Sequence, residues 1–302
     1  MTEPRRVLVT GATGFIGRHT LAPLTERGFE VHAVTSRTPP EDDGVRWHQV
    51  DLLGREGLRD LLAATTPSDL LHLAWYAEPG RFWMSSENLA WGSATVRLVQ
   101  AFAEYGGRRA VVAGSCAEYR WGDPGPCVEG TTALEPATLY GTCKNATRVA
   151  LEAAAERLGI EVAWGRIFFV FGPGEAPDRL VASVARALLA GDRAATTDGH
   201  QIRDVLHVQD VAEALVALLD SPVTGPVNVG SGVGRQLLEL ITAIGACAGQ
   251  SDLLDVGALP ARPDDPEELV ADVGRLRDEV GFSARVGWED GIAQTVRWWT
   301  TH

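Results

Sequence analysis

The chain has 302 residues, 45% of them hydrophobic and 22% charged, enough apolar material for one large domain or two closely joined ones. A formal charge of -13 gives no basic footprint for nucleic acid or an anionic membrane, so an anionic ligand has to be held by a few local arginines. Cys116, Cys127, Cys143 and Cys247 fall at spacings that match no zinc or redox motif and suit a reducing cytoplasm; no signal-peptide core opens the chain, and no apolar run approaches a membrane span.

Short apolar runs alternate with longer helical patterns through the first two-thirds. The strand runs are RRVLVT, FEVHAV, GVRWHQV, SDLLHLAW, RRAVVAGS and IEVAWGRIFFVFG. Helical patterns cover residues 14–27, the segment ENLAWGSATVRLVQAFAEYG and the segment TLYGTCKNATRVALEAAAERLG. This repetition predicts an α/β fold of the Rossmann type, a doubly wound parallel sheet with helices on both faces, over residues 1–172. From 173 to 302 the rhythm loosens. Helical DRLVASVARALLAG, VQDVAEALVALLD and WEDGIAQTVRWWT are separated by turns and a proline-rich stretch, too interrupted for an independent second sheet. These residues read mainly as a small C-terminal substrate-binding lobe over the carboxyl ends of the strands, with some segments returning to the first domain.

Gly11, Gly14 and Gly17 stand between the first strand and the first helix, with Gly28 as that helix's C-cap. Gly11 permits the tight turn, Gly14 lets backbone N–H groups approach a pyrophosphate, and Gly17 lets the helix pack on the strand, so the loop is a dinucleotide cradle. At the end of the second strand a carboxylate would bond the adenosine 2′-hydroxyl and repel a 2′-phosphate. Ser36 and Arg37 stand there instead, which favours NADP(H) over NAD(H); the alternative is a solvated loop arginine. Asp51, after the third strand, is placed either for the adenine amino group or as a simple turn aspartate.

Lys144 is the one lysine in the sequence; every other basic position of the 27 is arginine. It follows Tyr140 by four residues, which puts both on one helical face. A phenol has an ordinary pKa of about 10, and a neighbouring ammonium, helped by an oxidised nicotinamide, brings it towards working pH. A compact ammonium on a flexible stem also donates to ribose hydroxyls in a way a planar guanidinium does not. Ser115, at the end of the strand in RRAVVAGS, supplies a hydroxyl for the reacting carbonyl, or else a helix cap.

With these motifs in place the sequence resembles the extended short-chain dehydrogenase/reductases, specifically their nucleotide-sugar branch of epimerases, dehydratases and ketoreductases. GATGFIG matches the family's cofactor loop, LLHLAW its fourth-strand segment, Ser115 its serine or threonine, and YGTCK its Tyr-x-x-x-Lys. The resemblance implies catalysis by Ser115, Tyr140 and Lys144. It implies cofactor contacts from Thr13, Phe15 and Ile16 beside the glycines, Leu52 beside Asp51, Leu73, Ala74 and Trp75, Ile167 and Phe168, as well as Tyr140 and Lys144. QIRDVLHVQDVAEAL and ARPDDP match segments whose arginines, here Arg203 and Arg262, contact a nucleotide diphosphate, and no metal is implied.

Departures narrow the chemistry. Dehydratases of the family follow the serine or threonine with an Asp-Glu pair, whereas Cys116 and Ala117 stand here, and a methyl cannot serve as acid or base. Many relatives carry an asparagine at the Phe169 position, where it contacts substrate phosphate, so the resemblance does not carry the usual substrate pose over to Phe169. The expected reaction is hydride transfer between nicotinamide and a sugar carbon. The first reading is an NADPH-dependent ketoreductase of a nucleotide-linked 4-keto-6-deoxy sugar; the alternatives are a nucleotide-sugar 4-epimerase with tightly bound NAD and a non-catalytic NADP(H) sensor. Trp91, Trp298 and Trp299 serve either a homodimer or ordinary core packing.

Overall fold

The computed structural model describes residues 5–40, 44–54, 56–261 and 265–302. The strands in chain order are β1 (Arg6–Thr10), β2 (Glu30–Thr35), β3 (Arg46–Gln49), β4 (Asp69–His72), β5 (Arg109–Ser115), β6 (Glu161–Ile167), β7 (Phe169–Phe171), β8 (Ala194–Ala195), β9 (Ile202–His207), β10 (Gly225–Val229), β11 (Gly234–Gln236), β12 (Leu254–Asp255) and β13 (Glu268–Leu269). The α-helices are α1 (Gly17–Glu26), α2 (Leu58–Thr65), α3 (Glu87–Glu104), α4 (Leu139–Leu158), α5 (Leu180–Leu189), α6 (Val208–Asp220), α7 (Leu237–Ala248), α8 (Gly274–Asp278) and α9 (Trp288–Trp299).

Seven strands form one sheet in the order β10-β6-β5-β4-β1-β2-β3, and every neighbouring pair is parallel. Both faces are covered, as the period of two requires: Val7 and Val9 join one apolar cluster with α1 and α6, while Leu8 joins another with α2, α3 and α4. The same division separates Val111 from Ala110 and Val112, and Ala163 from Val162 and Trp164. Strand order reverses direction between β1 and β4, which opens a crevice at their carboxyl ends.

The later segments do two things. β10 and α6 complete the large sheet and its helical layer, while α5, α7 and α9 pack on Phe171 and Val205 as a separate cluster. Contrary to the sequence expectation, the lobe does contain a sheet: β11-β9-β13, with β7 also paired to β9. Its strands have two to six residues, below the length at which alternation is legible. The run IFFVFG is likewise not one strand. Phe168 separates β6 in the large sheet from β7 in the small one. Three helices, α2, α7 and the short α8, lie outside the sequence expectations, and SDLLHLAW is extended only through His72.

Acidic residues of the QIRDVLHVQDV segment tie the two halves together. Asp204 accepts from the N–H groups of Ser231 at 2.6 Å, Gly232 at 2.9 Å and Ala271 at 3.2 Å, and Asp210 accepts from those of Arg285 and Val286, both at 2.9 Å. Burial raises the pKa of both carboxyls, and the donated N–H groups oppose that shift.

Candidate active site

The glycine loop is compact because it cannot be otherwise. A methyl on Gly17 would lie 2.1 Å from the Gly11 carbonyl oxygen, so α1 starts directly against the turn. A second close approach sets the reacting groups: a methyl on Gly141 would lie 2.0 Å from the Ala117 carbonyl oxygen. The first turn of α4, capped by the Thr138 hydroxyl on the Gly141 N–H at 3.1 Å, therefore rests on the short 3₁₀ turn Cys116–Glu118 that follows β5. Tyr140 and Ser115 are brought together by that contact.

Ser115 is held from below. Glu118 is fully buried; its Oε1 accepts from the Ser115 N–H and from Trp164 Nε1, both at 2.8 Å, and its Oε2 accepts from Arg166 Nε at 2.9 Å. The Ser115 oxygen accepts from the Ala117 N–H at 3.2 Å, so serine is both cap and site residue, and its hydroxyl lies within hydrogen-bonding reach of the Tyr140 phenol.

Lys144, 3% exposed, donates from Nζ to the Ala113 carbonyl at 2.7 Å and stands 3.8 Å from the Trp75 ring centroid and 5.8 Å from that of Tyr140. Burial pulls its pKa down to about 7, with Glu118 opposing. Burial raises the Tyr140 pKa, and the leading groups that oppose this are Ser115, by hydrogen bonding, and Arg179, by charge.

These groups open on a cavity of about 570 Å³ at the crevice. Of the residues singled out from sequence, Ile16, Leu73, Trp75, Ser115, Tyr140, Lys144, Ile167, Phe168 and Phe169 line it. Gly11, Thr13, Gly14, Phe15, Gly17 and Ala74 lie behind, on the loop and strand end that continue the crevice. Ser36 and Arg37 are exposed just beyond β2. Asp51 takes its turn role, accepting from the Leu53 N–H at 3.0 Å. The Leu52 side chain is buried in the core with Val34, Leu61 and Leu62, which leaves its backbone for a cofactor. Arg203 is 2% exposed, with its guanidinium 5.3 Å from the Phe169 ring centroid; its Nη2 stands 2.9 Å from an Asp265 carboxylate oxygen and makes no hydrogen bond among the described residues. Arg262 lies outside the described residues.

Sequence reasoning missed an aromatic roof. Phe82 and Trp83, in a 3₁₀ turn between turn residues, meet the Tyr140 ring edge-on at 4.8 and 5.9 Å between centroids, and Trp83 meets Trp121 at 5.9 Å. The available signal was FWM stranded in a Gly-, Pro- and Ser-rich loop with no periodicity to bury it. Arg179, immediately before α5, was missed as well; it lines this cavity and a smaller neighbour of about 200 Å³.

The residues present fit a dinucleotide. The glycine loop is a cradle that any side chain would fill, and the Lys144 ammonium has one protein acceptor among the described residues and three protons to donate. The fold and site define an α/β nucleotide-dependent enzyme of the extended short-chain dehydrogenase/reductase type. Residues 7–230 match the model of the NAD dependent epimerase/dehydratase family, and the chain belongs to that family. It is similar to UDP-glucose 4-epimerase 3 of Oryza sativa subsp. japonica, at 29% identity over 97% of this chain and 89% of that protein. Among solved structures, the Thermus thermophilus UDP-glucose 4-epimerase in complex with NAD is 30% identical, with a TM-score of 0.86 over 98% of this chain and 99% of that one. MoeE5 in complex with UDP-glucuronic acid and NAD is 33% identical, with a TM-score of 0.85 over the same shares; MoeE5 is also known in complex with UDP-glucose and NAD. The chain is thus an NAD(P)-dependent enzyme acting on the CH–OH group of a sugar. No helix among the described residues is long and apolar enough to cross a membrane.

Proposed function

We propose that the protein is a nucleotide-sugar 4-epimerase that keeps NAD bound through the cycle. The observation that carries this is the pairing of Tyr140 and Ser115 in the wall of a mainly apolar cavity, in a chain whose relatives along nearly its full length include UDP-glucose 4-epimerases. Epimerisation at C4 requires the 4-keto sugar to turn over between removal and return of hydride. Walls of Phe82, Trp83, Trp121 and Phe169 offer a largely apolar surface for the sugar to turn on, with the two indole N–H groups as the donors these four side chains carry.

When bound, the oxidised nicotinamide supplies the hydride acceptor and a positive charge beside the phenol. Tyr140 takes the proton from the sugar O4 as the C4 hydride leaves, and returns it when the hydride comes back on the opposite face. Ser115 has one proton to donate: it gives it to the phenolate before O4 is deprotonated, and to the sugar oxygen once the phenol holds the proton. Lys144 uses its remaining donors on the ribose. Burial makes the free phenol a weak acid, so proton removal is suited to the loaded site rather than the empty one.

Ser36 and Arg37, with no carboxylate after β2, favour the second reading, an NADPH-dependent ketoreductase of a nucleotide-linked 4-keto-6-deoxy sugar. One preparation decides between them. Protein purified without added cofactor is denatured and the released nucleotide identified, and the native protein is then incubated with UDP-glucose or UDP-galactose. Released NAD(H) with interconversion of the two sugars and no net change at 340 nm is expected. No retained cofactor, with NADPH consumed one-for-one by a keto sugar, overturns the epimerase reading.

A further inference from the structure

The Lys144 ammonium is met by a side chain that has no part in the proton path described above. Trp75, three residues beyond the end of β4, presents its indole face to Nζ, 3.8 Å from the ring centroid. Hydrogen bonds lock the ring in that attitude. Its Nε1–H donates to Asn88 Oδ1 at 2.9 Å. Asn88, fully buried in the first turn of α3, is itself held, because its Nδ2 donates to the Phe82 carbonyl at 2.6 Å and to the Ser85 carbonyl at 2.9 Å, which leaves its oxygen to the indole. Phe82 and Trp83 of that turn are the rings that meet Tyr140 edge-on. A continuous set of contacts therefore runs from the ammonium, through Trp75 and Asn88, to the aromatic roof over the phenol.

An ammonium has three protons to place. One goes to the Ala113 carbonyl at 2.7 Å and a second side of Nζ is covered by the indole, so the direction that remains is the one left for a ligand hydroxyl. Indole attracts a cation more strongly than the other aromatic side chains do, and more strongly away from water, and Lys144 is buried. We propose that Trp75 is a positioning residue for hydride transfer: its face seats the Lys144 ammonium in the cavity wall, and its bond to Asn88 ties that seat to the turn that roofs Tyr140. The proposal rests on the oxidoreductase reading of Tyr140 and Lys144 and holds for the epimerase and the ketoreductase alike. The titratable groups that bear on Lys144 are Glu118, after β5, which favours its charge; His72, on β4, held neutral by burial; and Tyr140, on the same helix. What α3 brings to the seat is Asn88, which does not titrate.

Because Lys144 is the one lysine in the sequence, full-length protein grown on lysine carrying ¹³C at Cε gives a single side-chain resonance, and its pH titration by NMR reports this ammonium alone. The test replaces Trp75 with a ring-fluorinated tryptophan by nonsense suppression, which keeps the shape and the Nε1–H but drains negative charge from the ring face. In cofactor-free protein the Lys144 midpoint is expected to fall by roughly 0.4–1.5 pH units, about 3- to 30-fold in proton affinity, the size of a cation–π contact. An unmoved or raised midpoint overturns the proposal. Trp75→Phe keeps a face but loses the bond to Asn88, and should lower kcat roughly 10-fold or more with NAD retention unchanged, as misplacement of the roof requires; wild-type kcat in that variant overturns the tie to Tyr140. If the fluorinated chain does not fold, Trp75→Phe and Trp75→Leu replace it: the midpoint should be lower with leucine, and the reverse order overturns the proposal. Absence of turnover in the wild type itself, with the titration shift intact, overturns the oxidoreductase reading and is thereby distinguished from failure of the Trp75 assignment.

Discussion

The Lys144 ammonium lies 3.8 Å from the centre of the Trp75 ring, closer than to the phenol it was expected to serve, whose ring centroid is 5.8 Å away. The Lys144 pKa falls from 10.5 to about 7 because burial penalises the charge. Between those two values the unfolded chain holds this proton and the folded chain does not, so stability rises with pH across that window and is flat with respect to this group below it. Cofactor-free wild type should therefore gain several kcal/mol relative to Lys144→Met between about pH 7 and pH 10, read as the difference in urea midpoints. Parallel pH profiles would show that Lys144 carries no buried-charge cost.

Tyr140→Phe removes one oxygen from the meeting point with Ser115 and leaves the aromatic contacts with Phe82, Trp83 and Trp75. Turnover should fall by about 10²–10⁴-fold, the usual worth of a general acid–base group, with NAD retention unchanged. Near-wild-type turnover would remove Tyr140 from the proton path, and loss of NAD would make it a cofactor-binding residue first.

The large sheet was legible because its strands are nearly continuous apolar runs separated by helical periodicity, and Gly11, Gly14 and Gly17 announce the crevice. Tyr140 and Lys144 were legible for a different reason, since a helix brings residues four apart onto one face whatever surrounds them. Trp83, Trp121 and Arg179 come to Tyr140 from three separate loops, and no local pattern encodes that convergence. The surroundings of Arg203 were not legible either, since its ion-pair partner Asp265 stands 62 positions on, in a segment with no periodicity of its own.

Glu118 and Arg166 form an ion pair at 2.9 Å with neither side chain exposed, and Glu118 also holds the Ser115 N–H. Glu118→Gln keeps the shape but removes the counter-charge, leaving a buried guanidinium uncompensated. A loss of about 3–5 kcal/mol in unfolding free energy is expected, as for other broken buried pairs. Because the same group positions Ser115, any surviving folded protein should also lose turnover more than cofactor affinity. Unchanged stability would mean that water reaches Arg166.

His72 sits at the end of β4 between two hydroxyls, with Thr10 Oγ1 at 2.6 Å from Nδ1 and Thr95 Oγ1 at 2.8 Å from Nε2. The neighbouring bonds assign the tautomer. Thr95 donates its own proton to the Trp91 carbonyl at 2.9 Å, so its oxygen accepts from Nε2–H, and Nδ1 accepts from Thr10, whose oxygen receives the Ala74 N–H at 3.4 Å. The ring thus fixes Thr10 and Ala74, the two strand ends that flank the crevice, and only its neutral form can do so. Burial, with Lys144 adding to it, lowers its pKa from 6.5 to about 3. Between these values the unfolded chain binds the proton and the folded chain does not, so the ring's contribution to stability is intact above about pH 6.5 and declines as pH falls towards 3. His72→Leu should cost about 1–3 kcal/mol at neutral pH by leaving the Thr10 hydroxyl without its acceptor, yet show a shallower decline than the wild type between pH 6.5 and 4. Chemical denaturation at several pH values checks both halves; curves of equal slope would mean that the imidazole takes up its proton in the folded chain as readily as in the unfolded one.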